Sequence, residues 1–324
     1  MIEHRQSLPP LENPVVSAAS CADLSSTSDD FLCREDSDLL CSEHSGSKFP
    51  TERTEAAVVE ESIIGFIKGE KDFVLDGDYH SRFVSYSLDA SAREDSVAWM
   101  LKVQAYYGFQ PLTAYLAVNY MDRVLCSSRL PQASGWPMQL LSVACLSLAA
   151  KMEEPLIPSL LDFQVEGAKY LFEPRTIGRM EVLVLNLLGW RLRSVTPLTF
   201  IDYFAWKIDP TGDFVGFICS RATEIILSNI KETSFLVYLP SSIAASAVLC
   251  AAREIPKLSP FSPENAKSWC DGLSKDNIVG CYQLLRELAV ANSPGEPSKG
   301  CSDSSSSTCV WSSRKRRKLD GCSE

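Results

Sequence analysis

The chain has 324 residues, 45% hydrophobic and 22% charged, with a formal net charge of −10 at pH 7, which fits about two folded domains with real apolar cores. The charge is unevenly spread: residues 1–54 carry −6, residues 292–324 carry +2, and the middle carries the remaining −6. An acidic middle argues against a nucleic-acid surface, and residues 1–54, whose only aromatics are Phe31 and Phe49, hold too little apolar surface to fold alone.

From about residue 55 to residue 291 the apolar residues recur with a helical period, and nothing alternates long enough to require a sheet, so an all-α fold is expected. A first short helix is predicted around Glu60 to Ile67. The next runs from Arg93 to Tyr107 and ends at Gly108, and Pro111 then opens a helix reaching Cys126, since proline is tolerated in a first turn. Two segments, Leu130 to Ala150 and Thr233 to Ala252, hold no charge. Each contains proline and serines, and the unbroken apolar part falls short of the roughly 20 residues a membrane crossing needs. Helices buried on all sides are the better reading. Helices are also predicted at Ser159 to Tyr170, Pro174 to Leu188 with Gly189 as its stop, Pro263 to Gly272 and Lys275 to Ala291. Residues 292–310 are rich in Ser, Pro and Gly, and both tails are expected to be disordered.

The two uncharged segments end alike, in Leu148-Ala149-Ala150-Lys151 and Cys250-Ala251-Ala252-Arg253, at an offset of 102 residues. The same shift lays Thr113 to Leu125 over Val215 to Leu227. The chain therefore reads as two tandem copies of one five-helix unit.

Twelve cysteines include no C-x-x-C pair, and the N-terminus MIEHRQSLPP has no apolar signal region, so the thiols are expected to stay reduced. His4, His44 and His80 lie outside the strongly apolar segments. No metal site, no other cofactor, no hydrolytic Cys–His pair and no membrane partner is expected.

Three residues contradict their surroundings. Glu181 stands where the stripe Ile177, Val184, Leu188 calls for an apolar side chain; either it reaches water at the stripe's edge or it is held there for a purpose. Lys151 is the first charge after 21 uncharged residues and can serve as a helix-dipole partner that snorkels out. Asp122, between Val118 and Leu125, must be paired if it is buried.

Four stretches, Arg93 to Val103 (REDSVAWMLKV), Leu116 to Leu125 (LAVNYMDRVL), Leu146 to Glu154 (LSLAAKMEE) and Arg179 to Leu188 (RMEVLVLNLL), resemble the successive helices of a cyclin box. Trp99-Met100 and the run WPMQLLSVACLSLAAKMEE are similar to those of D-type cyclins, most closely those of plants. The resemblance covers about residues 60 to 291. It implies a tandem cyclin-box fold, with the first box and its leading helix at 55–194 and the second at 195–291. It implies a regulatory subunit without chemistry of its own, whose partner is a cyclin-dependent kinase, expected to be A-type, gripped by Lys151 and Glu181. Trp190 matches an aromatic at that interface or else plugs the first box. Arg93 and Asp122 match a buried structural ion pair. The patch that docks R-x-L motifs corresponds to Ala92, Asp95, Ser96, Trp99 and Gln139, shrunken and partly polar here, so binding of R-x-L ligands, kinase-inhibitor proteins among them, is expected to be weak or altered.

In the acidic tail, Leu39-Leu40-Cys41-Ser42-Glu43 reads L-x-C-x-E after Asp36 and Asp38. In an extended segment Leu39, Cys41 and Glu43 project to one side. This resembles the retinoblastoma pocket-binding motif of D-type cyclins and implies recruitment of a retinoblastoma-related protein and a role in entry into DNA synthesis. Phe31 to Glu35 is a weaker copy. The run Arg314-Lys315-Arg316-Arg317-Lys318 is a well-formed nuclear localisation signal, so the chain is expected in the nucleus, shuttling with the cytoplasm. A DNA-holding transcription factor also uses tandem cyclin folds, but it needs a basic face.

Overall fold

The computed structural model describes residues 52–73, 75, 78–85, 89–127, 135–164, 169–258 and 261–291. These form ten helices and several 3-10 turns, with no strand among the described residues.

Helix α1 (Glu52–Gly69) begins inside the expected tail and is longer than predicted. Its isoleucines Ile63 and Ile67 pack into the apolar core of the second repeat, not the first. A 3-10 turn, Glu70–Phe73, and the short α2 (Asp78–Val84) lead into the first repeat.

That repeat is built from α3 (Ala90–Tyr107), α4 (Pro111–Cys126), α5 (Trp136–Glu153) and α6 (Pro174–Leu187). Asp89 caps α3 by accepting from the Ala92 N–H at 3.0 Å, and Gly108 ends it at φ 66, a left-handed turn that glycine adopts without penalty. Every residue of α5 from Leu140 to Ala150 is buried, so α5 is the axis around which the others pack.

The second repeat is α7 (Leu198–Ile208), α8 (Val215–Asn229), α9 (Pro240–Arg253) and α10 (Lys275–Ala291), with α9 as its buried axis. Adding 102 to α5 gives 238–255, which brackets α9, and adding it to α6 gives 276–289, which lies within α10.

Two expected helices are not found among the described residues. Between Ser159 and Tyr170 the described residues hold only the turn Asp162–Gln164, where the buried Gln164 amide bonds the local backbone: its Nε2 donates to the Leu160 and Phe172 carbonyls at 3.0 and 2.9 Å, and its Oε1 accepts the Phe172 N–H at 2.6 Å. Pro263 to Gly272 holds only the turn Asn265–Trp269, with Gly272 at φ 95. Among the described residues, each unit thus has a 3-10 turn between its central and last helices. Helices α2 and α7 were not individually predicted; α7 is crowded with aromatic and β-branched residues of modest helix propensity, and packing decides it.

Candidate functional site

Lys151 lies on the last turn of α5, where the exposed carbonyl ends favour a cation. Glu181 lies on the facing side of α6, buried, directly in the apolar stripe where its charge looked out of place. The Lys151 Nζ donates to both Glu181 carboxylate oxygens, at 2.6 and 2.8 Å. Both ends are rigidly carried. Glu154, just past α5, accepts from the Gln110 N–H at 2.7 Å and the Thr113 hydroxyl at 2.5 Å, tying the end of α5 to the start of α4.

The Lys151 side chain is 42% exposed, and so open a pair contributes at most about 1 kcal/mol to folding. The segments bearing it also expose large apolar side chains: Met152, Leu156, Ile157, Val182 and Leu183. A charge pair of little folding value amid exposed apolar surface is what a protein-docking face looks like.

Trp190 is 66% exposed and plugs no core. It follows Gly189 (φ 58) and itself sits at φ 60, the sole non-glycine residue of positive φ among those described. A left-handed tryptophan costs on the order of 1–2 kcal/mol, and its backbone is held there by the bond from its N–H to the Leu185 carbonyl at 2.9 Å. The flanking chain is pinned from α4, by the Tyr120 hydroxyl on the Leu192 carbonyl and Arg123 on the Arg191 carbonyl.

Arg93 and Asp122 form a buried bidentate pair, Nε to Oδ1 at 2.7 Å and Nη2 to Oδ2 at 2.9 Å. The Arg93 guanidinium also donates to the Lys231 and Ile230 carbonyls at 2.7 and 3.2 Å, capping the end of α8 in the other repeat. Burial alone would lower its pKa, but the charge and hydrogen bonds of Asp122, with Tyr79, hold it above the ordinary value. Tyr79 donates to Asp122 at 2.9 Å, and burial, then the Asp122 charge, push its phenol up.

Ala92, Asp95, Ser96 and Trp99 of α3 meet Gln139 of α5 around a cavity of about 410 Å³. Its polar groups are mostly spent internally. Gln139 donates to the Tyr170 carbonyl and accepts the Tyr170 N–H, at 3.0 and 3.1 Å, and the Ser96 hydroxyl bonds the Ala92 carbonyl at 2.8 Å. The Trp99 indole nitrogen is buried with no partner among the described residues.

Sequence reasoning passed over Glu70. It is buried, and its carboxylate accepts the Ser241 N–H and hydroxyl at 2.8 and 2.7 Å at the start of α9, 171 residues away. Burial raises its pKa, and the bonds from Ser241 work against that.

Among the described residues no group of three or more His, Cys, Asp or Glu could hold a metal ion, and no helix is long and apolar enough to cross a membrane. Burial pushes the Cys250 and Cys281 thiols up to about 11 and 12, leaving them unreactive. The motif Leu39, Cys41, Glu43 and the basic run Arg314 to Lys318 lie outside the described residues.

The description "Cyclin, N-terminal domain" matches residues 63–193, and "Cyclin, C-terminal domain" matches 195–314. Cyclin-D1-1 of Arabidopsis thaliana is 59% identical over 317 residues, 89% of this chain and 92% of that one. Cyclin-D2-1 of Oryza sativa subsp. japonica is 53% identical over 232 residues, 71% of each. Among solved structures, a viral cyclin from herpesvirus saimiri superposes with a TM-score of 0.53 at 16% identity, covering 63% of this chain and 86% of that one. A chain of the yeast RNA Pol II CTD kinase CTDK-1 complex gives 0.51 at 15% identity, covering 68% and 73%. At such identities these two speak to the fold.

Proposed function

The chain belongs to the cyclin family, among the D-type cyclins of plants, and from that premise we propose that it binds and activates an A-type cyclin-dependent kinase through Lys151 and Glu181, and brings it a retinoblastoma-related protein. As a cyclin it is a regulatory subunit, not itself a kinase. The observation that carries the reading is the doubly bonded Lys151–Glu181 pair, joining the last turn of α5 to the middle of α6, on segments that expose large apolar side chains. Opposite charges so held can bond main-chain groups next to a mobile helix of the kinase. Such a contact activates because the cyclin binds the competent arrangement more tightly and shifts the population toward it. Trp190, held in a costly backbone conformation with its side chain in solvent, is a second contact offered to the kinase.

Leu39, Cys41 and Glu43 supply the tether for the substrate. Tethering of this kind raises the effective substrate concentration toward the millimolar range, which drives commitment to DNA synthesis from the first gap phase. The run Arg314 to Lys318 carries the complex into the nucleus, from which it shuttles to the cytoplasm. Kinase-inhibitor proteins that carry R-x-L segments bind weakly, because Gln139 is already engaged by Tyr170. The test is co-purification from dividing plant cells. The intact chain retains an active kinase and a retinoblastoma-related protein; Cys41→Arg loses the second and keeps the first. Pocket-protein capture by Cys41→Arg contradicts the tether, and retention on DNA without a kinase contradicts the whole reading.

A further inference from the structure

Where the two repeats meet, α4, the end of α8, the turn Thr233–Val237 and the start of α9 border a cavity of about 100 Å³. Most of its lining is aliphatic or aromatic, with Val118, Ile226, Phe235 and Ile243 among the walls. Such a space is several times the roughly 10–15 Å³ that one water needs, and it approaches the roughly 150 Å³ of an apolar cavity that takes benzene. Junctions between packed units are also where small-molecule sites concentrate.

The charges in the lining are settled internally. Arg93 spends its donors on Asp122 and on the Ile230 and Lys231 carbonyls, and Glu70 is engaged by Ser241. No base is left to receive an anion. What stands unbonded is a pair of donors. The Tyr115 hydroxyl makes no hydrogen bond among the described residues, and burial, then the Asp122 charge, push its phenol up, so it keeps its proton. Arg123 donates to the Ser194 hydroxyl at 3.1 Å, and that hydroxyl donates to Asn119 Oδ1 at 2.9 Å. This relay fixes the Asn119 amide and leaves its NH2 free to donate. Tyr115 and Asn119 are four residues apart on α4, hence neighbours on one face. Both line the cavity. A cation would bring more donors to this place, whereas an uncharged molecule with an acceptor oxygen would satisfy both.

We propose that this cavity binds a small uncharged molecule, a compact apolar body of about six heavy atoms carrying one carbonyl oxygen that accepts from Tyr115 and Asn119. The bonds of Arg93 to the end of α8 and of Glu70 to the start of α9 border the occupant, so it acts as a wedge that fixes one repeat against the other. The test is methyl NMR of the full chain, labelled at isoleucine and titrated with cyclopentanone or with pyrrole, a ring of like size that has a donor and no acceptor. Both the parent and Tyr115→Phe, which keeps the packed ring, are titrated. The Ile226 and Ile243 methyl signals of the parent are expected to shift saturably with cyclopentanone, with a Kd of about a millimolar. Pyrrole binds about fivefold more weakly, and Tyr115→Phe weakens cyclopentanone by about the same factor while leaving pyrrole unchanged. Shifts that do not saturate, or that miss Ile226 and Ile243, mean a cavity holding water only and overturn the proposal. Equal cyclopentanone affinity in the parent and in Tyr115→Phe overturns it as well, as does pyrrole binding as tightly as cyclopentanone.

Discussion

Arg93 is the side chain on which the two repeats meet, since one guanidinium pairs with Asp122 in the first and caps α8 in the second. Arg93→Met leaves a buried carboxylate without its partner, at about 3–5 kcal/mol, which for a body of this size lowers Tm by roughly 6–20 °C. Lys151→Met, removing a half-exposed partner, is expected to shift Tm by no more than about 4 °C. Calorimetry of both variants decides between these roles; an Arg93→Met protein that melts with the parent contradicts the structural one. Glu70 gives a pH signature. Its folded pKa lies above the ordinary 4.5, so between those two values the folded state binds more protons than the unfolded, and stability falls as pH rises through that window. Glu70→Gln lacks this term. The parent's advantage over it, from denaturant unfolding, is therefore largest below the ordinary 4.5 and shrinks as pH rises through the raised folded pKa; an advantage that grows with pH contradicts the assignment. Asp122 was legible because a carboxylate on an apolar stripe demands a partner. Glu70 was not, since an acid after a helix looks solvated until its partner 171 residues away is known.

At the scale of elements, α1 owes its place to the missing side chain of Gly272. At φ 95, with Ile67 Cγ2 at 2.9 Å, Gly272→Ala both strains the backbone and pushes on α1, at about 1–3 kcal/mol. Hydrogen exchange of the α1 amides is expected to quicken about tenfold or more, with α4 unaffected; unchanged α1 protection contradicts this packing. Helices punctuated by proline and glycine were read closely from sequence: α4 runs Pro111–Cys126 as expected, and α6 ends beside Gly189. Between Ser159 and Gln164 the apolar spacing serves a side-chain staple instead of a helix, with Phe163 buried and Gln164 bonding the loop. No local pattern distinguishes that from a helical turn. The partner of α1 was illegible for another reason: its amphipathic face could have covered either repeat.

For the whole molecule, the repeat is a duplication of fold but not of docking chemistry. The counterpart of Lys151 is Arg253, which turns to the Tyr282 hydroxyl at 3.0 Å, and that of Glu181 is Gln283. The second repeat thus has no paired charge at this place. Arg253→Ala is expected to leave kinase affinity within about threefold of the parent, a change of less than 1 kcal/mol; a larger loss measured by titration means the second repeat is gripped as well. The offset of 102 residues was readable from two similar segment ends, but the packing of α1 on the second repeat was not, because no local pattern says which repeat its apolar face covers.

The most direct test of kinase docking is calorimetric titration of an A-type cyclin-dependent kinase with the intact chain and with the Lys151→Ala, Glu181→Ala double variant, each first checked for an unchanged melting transition. Loss of the pair is expected to weaken binding by a factor on the order of 30 to several thousand, equivalent to about 2–5 kcal/mol, with kinase activation falling in parallel. Binding and activation at parental strength in a folded double variant would contradict the account.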